Sequence, residues 1–295
     1  MKMNFKIAGH IFSLLIPERY SDMLDAYRPF ECAVCSEEPL YSVEVVDNLS
    51  YEVTKTLLED VDLSDEGMVR VNIYETTEGL LYNIIMPRSS VINAQLHIAT
   101  SVAMIAINDE CDFFCASSAF TNAMILSYIT YTLPYSTLLL HASAILKDGN
   151  THLFIGKSGT GKSTHSRMWQ ESFPDAELLN DDHPVIRCHE SGEVIAYGSP
   201  WSGKTPCYRN LSAPLRGIIR IKRAKYNKIT RLKPIRGYAS VMSSCSGAQW
   251  SQELREAKVA SLESIIIRVG CYEMECLPNN EAAKCCYEGL CAEKL

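Results

Sequence analysis

The chain has 295 residues, of which 47% are hydrophobic and 21% charged, the composition of an ordinary globular protein, which excludes disorder as its main state. Its formal charge of −7, from 35 acidic and 28 basic residues, argues against a non-specific nucleic-acid binder, because such a protein needs a net basic face. The first residues lack the apolar stretch of a secretion signal, so we expect a cytoplasmic protein with reduced cysteine thiols. The twelve cysteines include a single CxxC, Cys32 and Cys35, without a second such pair or a close histidine pair, so we expect no structural zinc site.

Residues 1–115 are predicted to form a β-rich N-terminal domain whose role no motif indicates. Its short β-branched or alternating runs are separated by turn residues and lie at 41–47, 68–75, 80–86 and 91–99. Because the connections are short, we expect a mainly antiparallel meander.

A stretch without charged residues, 113–146, precedes the richest part of the sequence. Pro134 divides it into a buried helix near 117–131 and a leucine-rich strand at 136–146. A membrane-spanning helix needs about 20 consecutive strongly apolar residues, and serine and threonine interrupt this stretch. We therefore expect a core segment and no membrane association.

Residues 116–295 are predicted to form a second domain, a mixed sheet flanked by helices, so that the whole chain is of the α/β (α+β) class. The expected strands lie at 137–146, 151–155, 177–180, 184–188, 193–197, 217–222 and 271–276. The expected helices lie near 117–131, 163–172, 238–244 and 251–267 and from residue 280 onward.

The strongest chemical signal is a phosphate-binding loop. Positions 156–163 match GxxxxGK[ST], between an apolar strand and a helix, which is the context that this motif requires. Backbone N–H groups and the helix N-terminus can hold phosphates, the lysine can reach the β- and γ-phosphates, and the serine hydroxyl can ligate Mg²⁺. We therefore predict ATP and Mg²⁺ as ligands, with nucleotide contacts from Gly156, Lys157, Ser158, Gly159, Thr160, Gly161, Lys162, Ser163 and Thr164.

Paired carboxylates follow about twenty residues later, where Asp181 and Asp182 end an apolar strand. Carboxylates beside a phosphate-binding loop can hold Mg²⁺ together with Ser163 and can accept a proton from an attacking hydroxyl. The same residues would also suit a turn, and the sequence does not assign the base and the metal ligand between them. His141 is a polar residue within an apolar strand, and a hairpin of the two strands before the loop would bring it towards this site.

Together, His141, the loop at 156–163 and the Asp181–Asp182 pair resemble the catalytic domain of HPr kinase/phosphorylase, whose pattern is a strand histidine, a GxSGxGKS loop and a strand ending in Asp-Asp. The resemblance covers roughly residues 130–295. It implies a fold similar to the nucleotide-binding part of ATP-dependent phosphoenolpyruvate carboxykinase. It also implies catalytic roles for His141, Lys162, Asp181 and Asp182, with one aspartate serving as base.

The sequence departs from that family at three places. Thr164 stands where HPr kinases carry a glutamate, and Arg216 only approximates the arginine of their later IRGLGIIDV signature. The first 110 residues bear no evident similarity to the HPr kinase N-terminal domain. These departures indicate a related protein with a different substrate.

A candidate substrate loop follows the aspartates at 198–209, and a plain surface loop is the alternative interpretation. Its donors could bind an anionic acceptor while its tryptophan offers a rigid contact surface. The residues assigned to the acceptor are Trp201, Ser202, Lys204, Thr205, Arg209 and Arg216.

The sequence therefore predicts an ATP-dependent kinase whose unidentified acceptor is a serine of a protein or peptide, or a small hydroxylated metabolite. Two alternatives stay open: a carboxykinase-like enzyme that phosphorylates an enolate, and a nucleotide-dependent regulatory protein without transfer activity. We expect no nucleic-acid partner, and a homo-oligomer is compatible with the sequence.

Overall fold

The computed structural model describes residues 1–32, 37–62, 69–203, 205–247 and 250–292. The chain divides into a first unit, Met1–Thr132 with Gly247–Arg255, and a second unit, Leu133–Ser246 with Glu256–Leu295. The division falls after residue 132, whereas the sequence predicts a boundary at 115/116. The difference arises because the intervening helix packs on the sheet of the first unit.

The first unit is built on an eight-stranded sheet. Its strands are β1 (Lys2–Ile7), β2 (His10–Leu15), β3 (Tyr41–Val46), β4 (Val53–Asp62), β5 (Arg70–Thr76), β6 (Leu80–Ile85), β7 (Ala94–Ile98) and β8 (Val102–Ile107). The strand order is β1-β2-β3-β8-β7-β6-β5-β4, and all neighbours are antiparallel except β2–β3 and β3–β8. A 3₁₀ helix, Glu18–Phe30, connects the parallel strands β2 and β3. The expected meander is therefore confirmed only for β4 to β8.

Helix α1 (Phe113–Thr132) packs on β6, β7 and β8. The segment Phe113–Tyr135 is long and apolar enough to cross a membrane by length and composition alone. Half of its most apolar 18-residue window is buried within the protein. That burial agrees with the core role expected from the sequence, and the absence of membrane association stays a prediction.

The second unit is a nine-stranded mixed sheet flanked by helices, as the sequence predicts. Its helices are α2 (Lys162–Ser172), α3 (Pro234–Met242), α5 (Asn280–Ala292) and, from Glu256 onward, α4 (Gln252–Ile266), whose first four residues belong to the first unit. Its strands are β9 (Thr137–Leu139), β10 (Ala142–Lys147), β11 (Asn150–Ile155), β12 (Glu177–Asp182), β13 (Val185–Cys188), β14 (Val194–Tyr197), β15 (Ser212–Arg223), β16 (Lys228–Arg231) and β17 (Gly270–Cys276). A short 3₁₀ turn, Leu133–Tyr135, precedes β9.

Strand direction gives this sheet one edge where several chain ends meet. The order begins β12-β10-β11-β15, and β17 lies on the other side of β15. Strands β11 and β12 both run antiparallel to β10, while β15 and β17 run parallel to β11. The carboxyl ends of β11, β12, β15 and β17 therefore lie at one edge, where α/β sheets bind their ligands. The amino end of β10 lies there too.

A strand predicted as continuous from 137 to 146 is interrupted. Strand β9 pairs with β13, whereas β10 pairs with β11 and β12, so the chain changes neighbours at Leu140 and His141. A bridge between Leu140 and Cys245 and a 2.7 Å hydrogen bond from His141 N to Ser244 O hold the interruption. These partners are distant in sequence, which is why local strand propensity did not reveal the break.

Helices α2 and α5 cover one face of the second sheet. Trp169 of α2 is fully buried and lies between Phe154 of β11 and Tyr287 of α5, with ring centroids 5.4 and 5.7 Å away. Met274 of β17 belongs to the same core. Burying side chains of this size contributes about 1.5–3 kcal/mol each, and this packing fixes α2 behind the loop that precedes it.

Cysteines in the described part of the chain are mostly thiols. Ten of them are free, and four of these, such as Cys286, are buried. Cys32 is disulfide-bonded, which corrects the expectation of thiols throughout. Cys35 lies outside the described residues.

Candidate active site

The predicted phosphate-binding loop connects β11 to α2. Gly159 and Gly161 have φ angles of 74° and 112°, conformations that L side chains rarely adopt. Gly161 caps α2 without a side-chain hydrogen bond, so the first N–H groups of the helix point out of its end. A helix N-terminus of this kind binds phosphate through N–H groups and partial positive charge. The backbone thus has the shape that the motif predicts.

Lys162 lies over this loop at the first position of α2. Its Nζ donates a 3.0 Å hydrogen bond to the carbonyl oxygen of Gly156, across the mouth of the loop. Its charge also acts on Asp182, whose pKa it helps to lower. The lysine and the aspartate that the sequence predicts to be catalytic therefore belong to one electrostatic cluster.

Asp182 lies between two histidines at the end of β12. Its Oδ1 is 3.5 Å from Nδ1 of His141, and its Oδ2 is 3.1 Å from Nδ1 of His183. The first residue of β10 pairs with Asp182 across the strands, which brings the preceding His141 to the same edge. The two imidazole rings stand nearly perpendicular, at a centroid distance of 5.9 Å.

The carboxyl of Asp182 is held in its charged form. Burial raises the pKa of Asp182, but the hydrogen bond from His183 and the charges of His183, His141 and Lys162 outweigh that effect. The net pKa of Asp182 lies below its usual value. Its φ of 146° is rare for a residue with a side chain, and such conformations concentrate at functional sites.

Asp181 is separated from this cluster although it is the neighbouring residue. Successive side chains of a strand point to opposite faces, and Asp181 is buried. Burial raises the pKa of the Cys207 thiol, Arg209 lowers it, and the charge of Asp181 raises it further. The predicted carboxylate pair therefore divides between two environments, with Asp182 held between His141 and His183 and Asp181 contributing to the raised pKa of the Cys207 thiol.

The buried side-chain amide of Asn180, which is not among the predicted site residues, holds the end of β12 through hydrogen bonds. Nδ2 of Asn180 lies 3.1 Å from the carbonyl oxygen of Trp201 and 3.2 Å from Oγ of Ser199. Its Oδ1 accepts a 2.9 Å hydrogen bond from the backbone N–H of His183. Ser199 in turn donates to the carbonyl of His183 at 2.6 Å. The sequence signal was present, because an amide within an apolar strand needs partners when it is buried.

The candidate substrate loop lies against the aspartates through its backbone. Gly203 N donates to the carbonyl of Asp181 at 2.6 Å, and a Cβ on Gly203 would lie 3.3 Å from the carboxyl carbon of Asp182. Oγ of Ser202 lies 3.2 Å from the carbonyl of Asp181 and 2.6 Å from that of Thr205. Ser202 and the exposed Thr205 thus lie near the site, and Lys204 lies outside the described residues.

Three other residues assigned to the acceptor lie elsewhere. Trp201 is only 2% exposed, which does not fit an exposed contact surface. Arg209 pairs with Glu177 at 2.5 Å, at the start of β12, about 16 Å along the strand from Asp182. Arg216 lies near the start of β15, where its charge acts on His152. Strand register thus separates Arg209 and Arg216 from Asp182, and the acceptor roles of these three residues stay predictions from the sequence.

Arg223 is the arginine that the fold brings to the phosphate-binding loop. It ends β15, and its Nη2 donates to the carbonyl of Gly159. A basic run at 216–236, without any acidic residue, was the sequence signal for a cation at this strand end. Arg223 also lines a cavity of about 400 Å³ beside the loop.

The donor chemistry of the site fits Mg²⁺. Hydroxyl and carboxylate oxygens are the ligands that this ion prefers, and Mg²⁺ usually takes only one or two carboxylates and completes its shell with phosphate oxygens and water. Ser163 and Asp182 would hold it, since Asp182 is the carboxylate of the predicted pair that lies with His141 and His183 at the loop edge. In the described part of the chain no cluster of three or more histidine, cysteine, aspartate or glutamate side chains forms a protein-only metal site.

Comparison with known proteins adds a distant structural relationship. No protein-family model matches the sequence, and no curated protein matches it. Among solved structures, the chain is similar to the HPr(Ser) kinase/phosphatase from Coxiella burnetii, with 13% sequence identity and a TM-score of 0.31. The similarity covers 52% of this chain and 97% of that one. At this distance the relationship supports no argument about activity, which depends here on the site itself.

Proposed function

We propose that the protein is a nucleotide-dependent phosphotransferase that moves the γ-phosphate of ATP to a hydroxyl of an acceptor. The acceptor is a serine of a protein or peptide, or a small hydroxylated metabolite. The observation that carries the proposal is the arrangement at one sheet edge, where Lys162 lies on the phosphate-binding loop after β11 and Asp182 ends β12 between His141 and His183.

The chemistry assigns a role to each group. The acceptor oxygen forms a bond to the γ-phosphorus, the bond from that phosphorus to the β–γ bridging oxygen breaks, and ADP leaves. Asp182 accepts the hydroxyl proton, and Lys162 and the loop N–H groups stabilise the phosphate charge. Mg²⁺, held as described, would neutralise charge on the phosphates.

A lowered pKa makes Asp182 a weak base but a permanent carboxylate at neutral pH. This suits phosphoryl transfer, in which catalysis depends mainly on positioning and electrostatic stabilisation. The two histidines hold the carboxylate in one orientation through its separate oxygens. Asp182 would therefore act chiefly by orienting the acceptor hydroxyl.

Binding and transfer can be tested separately. We expect Lys162→Ala to weaken binding of Mg·ATP at least about tenfold in a calorimetric titration, because it removes a charge-assisted contact. Lys284→Ala is the matched control, since that exposed lysine pairs with Glu281 on α5. Equal affinity of Lys162→Ala and the parent protein would contradict the binding step.

The transfer step requires a screen of hydroxyl acceptors. The protein is incubated with Mg·ATP and serine peptides, proteins or hydroxylated metabolites, and ³¹P spectra are followed for ADP and a new phosphomonoester. A phosphomonoester formed by the parent and absent with Lys162→Ala supports the proposal. An enol phosphate would favour the carboxykinase-like alternative. Nucleotide binding without product from any acceptor would contradict transfer and favour a regulatory role.

A further inference from the structure

The phosphate-binding loop has two chemically different sides. Strands β10 and β12 lie on one side and bring Asp182 and its histidines to the edge. Strands β15 and β17 lie on the other side, and their last residues, Arg223 and Cys276, are paired in register. The cavity of about 400 Å³ opens on this second side.

The cavity wall is mainly apolar with a few polar groups. Met168 of α2, Ile221, Cys276 and Pro278 supply carbon and sulfur atoms, while Thr164 and Arg223 supply polar ones. Among the residues that the structure describes, no carboxylate belongs to the lining. An apolar cleft of roughly 300–1,000 Å³ with few polar groups is the usual setting for a small organic ligand or cofactor, and a flat, polarizable heterocycle suits its soft walls.

We propose that this cavity holds the nucleoside of the nucleotide whose phosphates lie on the loop, which leaves the Asp182 side to the acceptor. The inference rests on the proposed function for the phosphates and adds where the rest of the nucleotide lies. Thr160, Gly161 and Thr164 belong both to the loop or the first turn of α2 and to the cavity wall. A nucleoside in the cavity can therefore continue directly into a phosphate chain on the loop.

Strand positions set the direction of that chain. Asp182 and its two histidines lie at the ends of β12 and β10, on the side of β11 away from the cavity, so the end of the chain where transfer occurs lies towards β10 and β12. The α-phosphate end then lies towards Thr164 and the cavity. The opposite arrangement would place the acceptor in a cleft whose described lining residues include no carboxylate to orient its hydroxyl.

Filling the cavity tests the assignment. Ala224 follows β15, is half-buried and lines the cavity, and its N–H donates to the Cys276 carbonyl at 3.0 Å. We expect Ala224→Phe to weaken calorimetric binding of Mg·ATP at least about tenfold, the scale of steric overpacking. Binding of inorganic tripolyphosphate, which lacks a nucleoside, should change less than about twofold. Ala213→Phe, a half-buried position at the other end of β15, is the matched control.

The two ligands separate the outcomes. Unchanged ATP affinity in Ala224→Phe would overturn the assignment, as would an equal loss for ATP and tripolyphosphate or an equal loss of ATP binding in the control variant. Retained tripolyphosphate binding also shows that the variant is folded, and Ala224→Leu provides a smaller side chain for the same comparison. A selective loss of ATP binding in a protein that phosphorylates no acceptor would uphold the nucleoside site while contradicting the proposed transfer. Full phosphotransfer with unchanged ATP affinity in Ala224→Phe would contradict the nucleoside site while supporting the proposed transfer.

Discussion

The buried Asn180 side chain stabilises the end of β12, next to Asp182, through hydrogen bonds. Asn180→Ala removes these hydrogen bonds. The substitution leaves the backbone N–H of His183 without its 2.9 Å partner and takes one donor from the carbonyl of Trp201. A buried polar group left unpaired costs about 1–3 kcal/mol. The Trp201 carbonyl keeps Ser199 Oγ as a second partner at 3.1 Å, which limits the cost of losing Asn180 there. We therefore expect the unfolding free energy to fall by about 2–4 kcal/mol in total.

Urea unfolding followed by tryptophan fluorescence measures this loss. Since the chain has two units, the change should fall on one transition and leave the other in place. Asn150→Ala is the matched control: its Nδ2 donates to the Asp148 carbonyl at the surface, so we expect a change within about 0.5 kcal/mol. A loss below about 0.5 kcal/mol for Asn180→Ala would refute the reasoning.

The same variant has a catalytic readout. Asn180 fixes the backbone that follows Asp182, so its loss should lower kcat while the affinity for Mg·ATP stays close to that of the parent protein. Positioning errors of about 1 Å can cost about a hundredfold in rate. Unchanged kcat in a destabilised variant would show that the network supports the fold alone.

Two further predictions concern charge. Asp182→Asn should lower the rate of ATP-dependent phosphorylation at least about a hundredfold. Asp181→Asn should lower that rate much less, because the Asp181 carboxyl acts on Cys207 and not on the groups around Asp182. Equal losses in a steady-state assay would contradict this. Burial lowers the pKa of His152 and of His165 to about 4, with Arg216 contributing for His152. Their neutral forms therefore stabilise the fold fully above pH 6.5 and progressively less as the pH falls towards 4, by about 2 kcal/mol each at pH 5. Urea titrations at pH 7.5 and 5 should show that loss of unfolding free energy. A double variant with His152→Phe and His165→Phe should lose less unfolding free energy between the two pH values.

Local sequence predicted the parts of the site that are built locally. The phosphate-binding loop needs only a strand, glycines with positive φ and a helix start, and all three lie within residues 150–172. The approach of His141 to the loop also followed, because one turn connects β10 to β11, whereas its approach to Asp182 depends on the pairing of β10 with β12. The α/β class and most helices and strands of the second unit agree with the hydrophobic pattern.

What the sequence missed depends on register between distant strands. Arg216 and Arg223 both lie on β15, but seven residues at 3.3 Å each place them roughly 23 Å apart, so only one can lie at the loop. The division of Asp181 from Asp182 depends on alternation within β12 and on the loop that covers it. The parallel pairing of β3 with β2 depends on a connection through a 3₁₀ helix, and its parallel pairing with β8 joins strands that are distant in sequence. None of these relations is visible within one short segment.

The interruption of the strand at His141 allows a residue next to β10 to reach the site, although β10 runs antiparallel to both of its neighbours. Strand β10 lies between β11 and β12 but runs the opposite way, so its amino end, not its carboxyl end, meets the loop and Asp182. A functional residue on this strand must therefore stand just before it. A continuous strand from 137 to 146 would instead pair His141 within the sheet, with no break to turn it towards the carboxylate. The His141 N–H donates to the Ser244 carbonyl and a bridge joins Leu140 to Cys245, so a segment about a hundred residues away in sequence holds the break and contributes to the site.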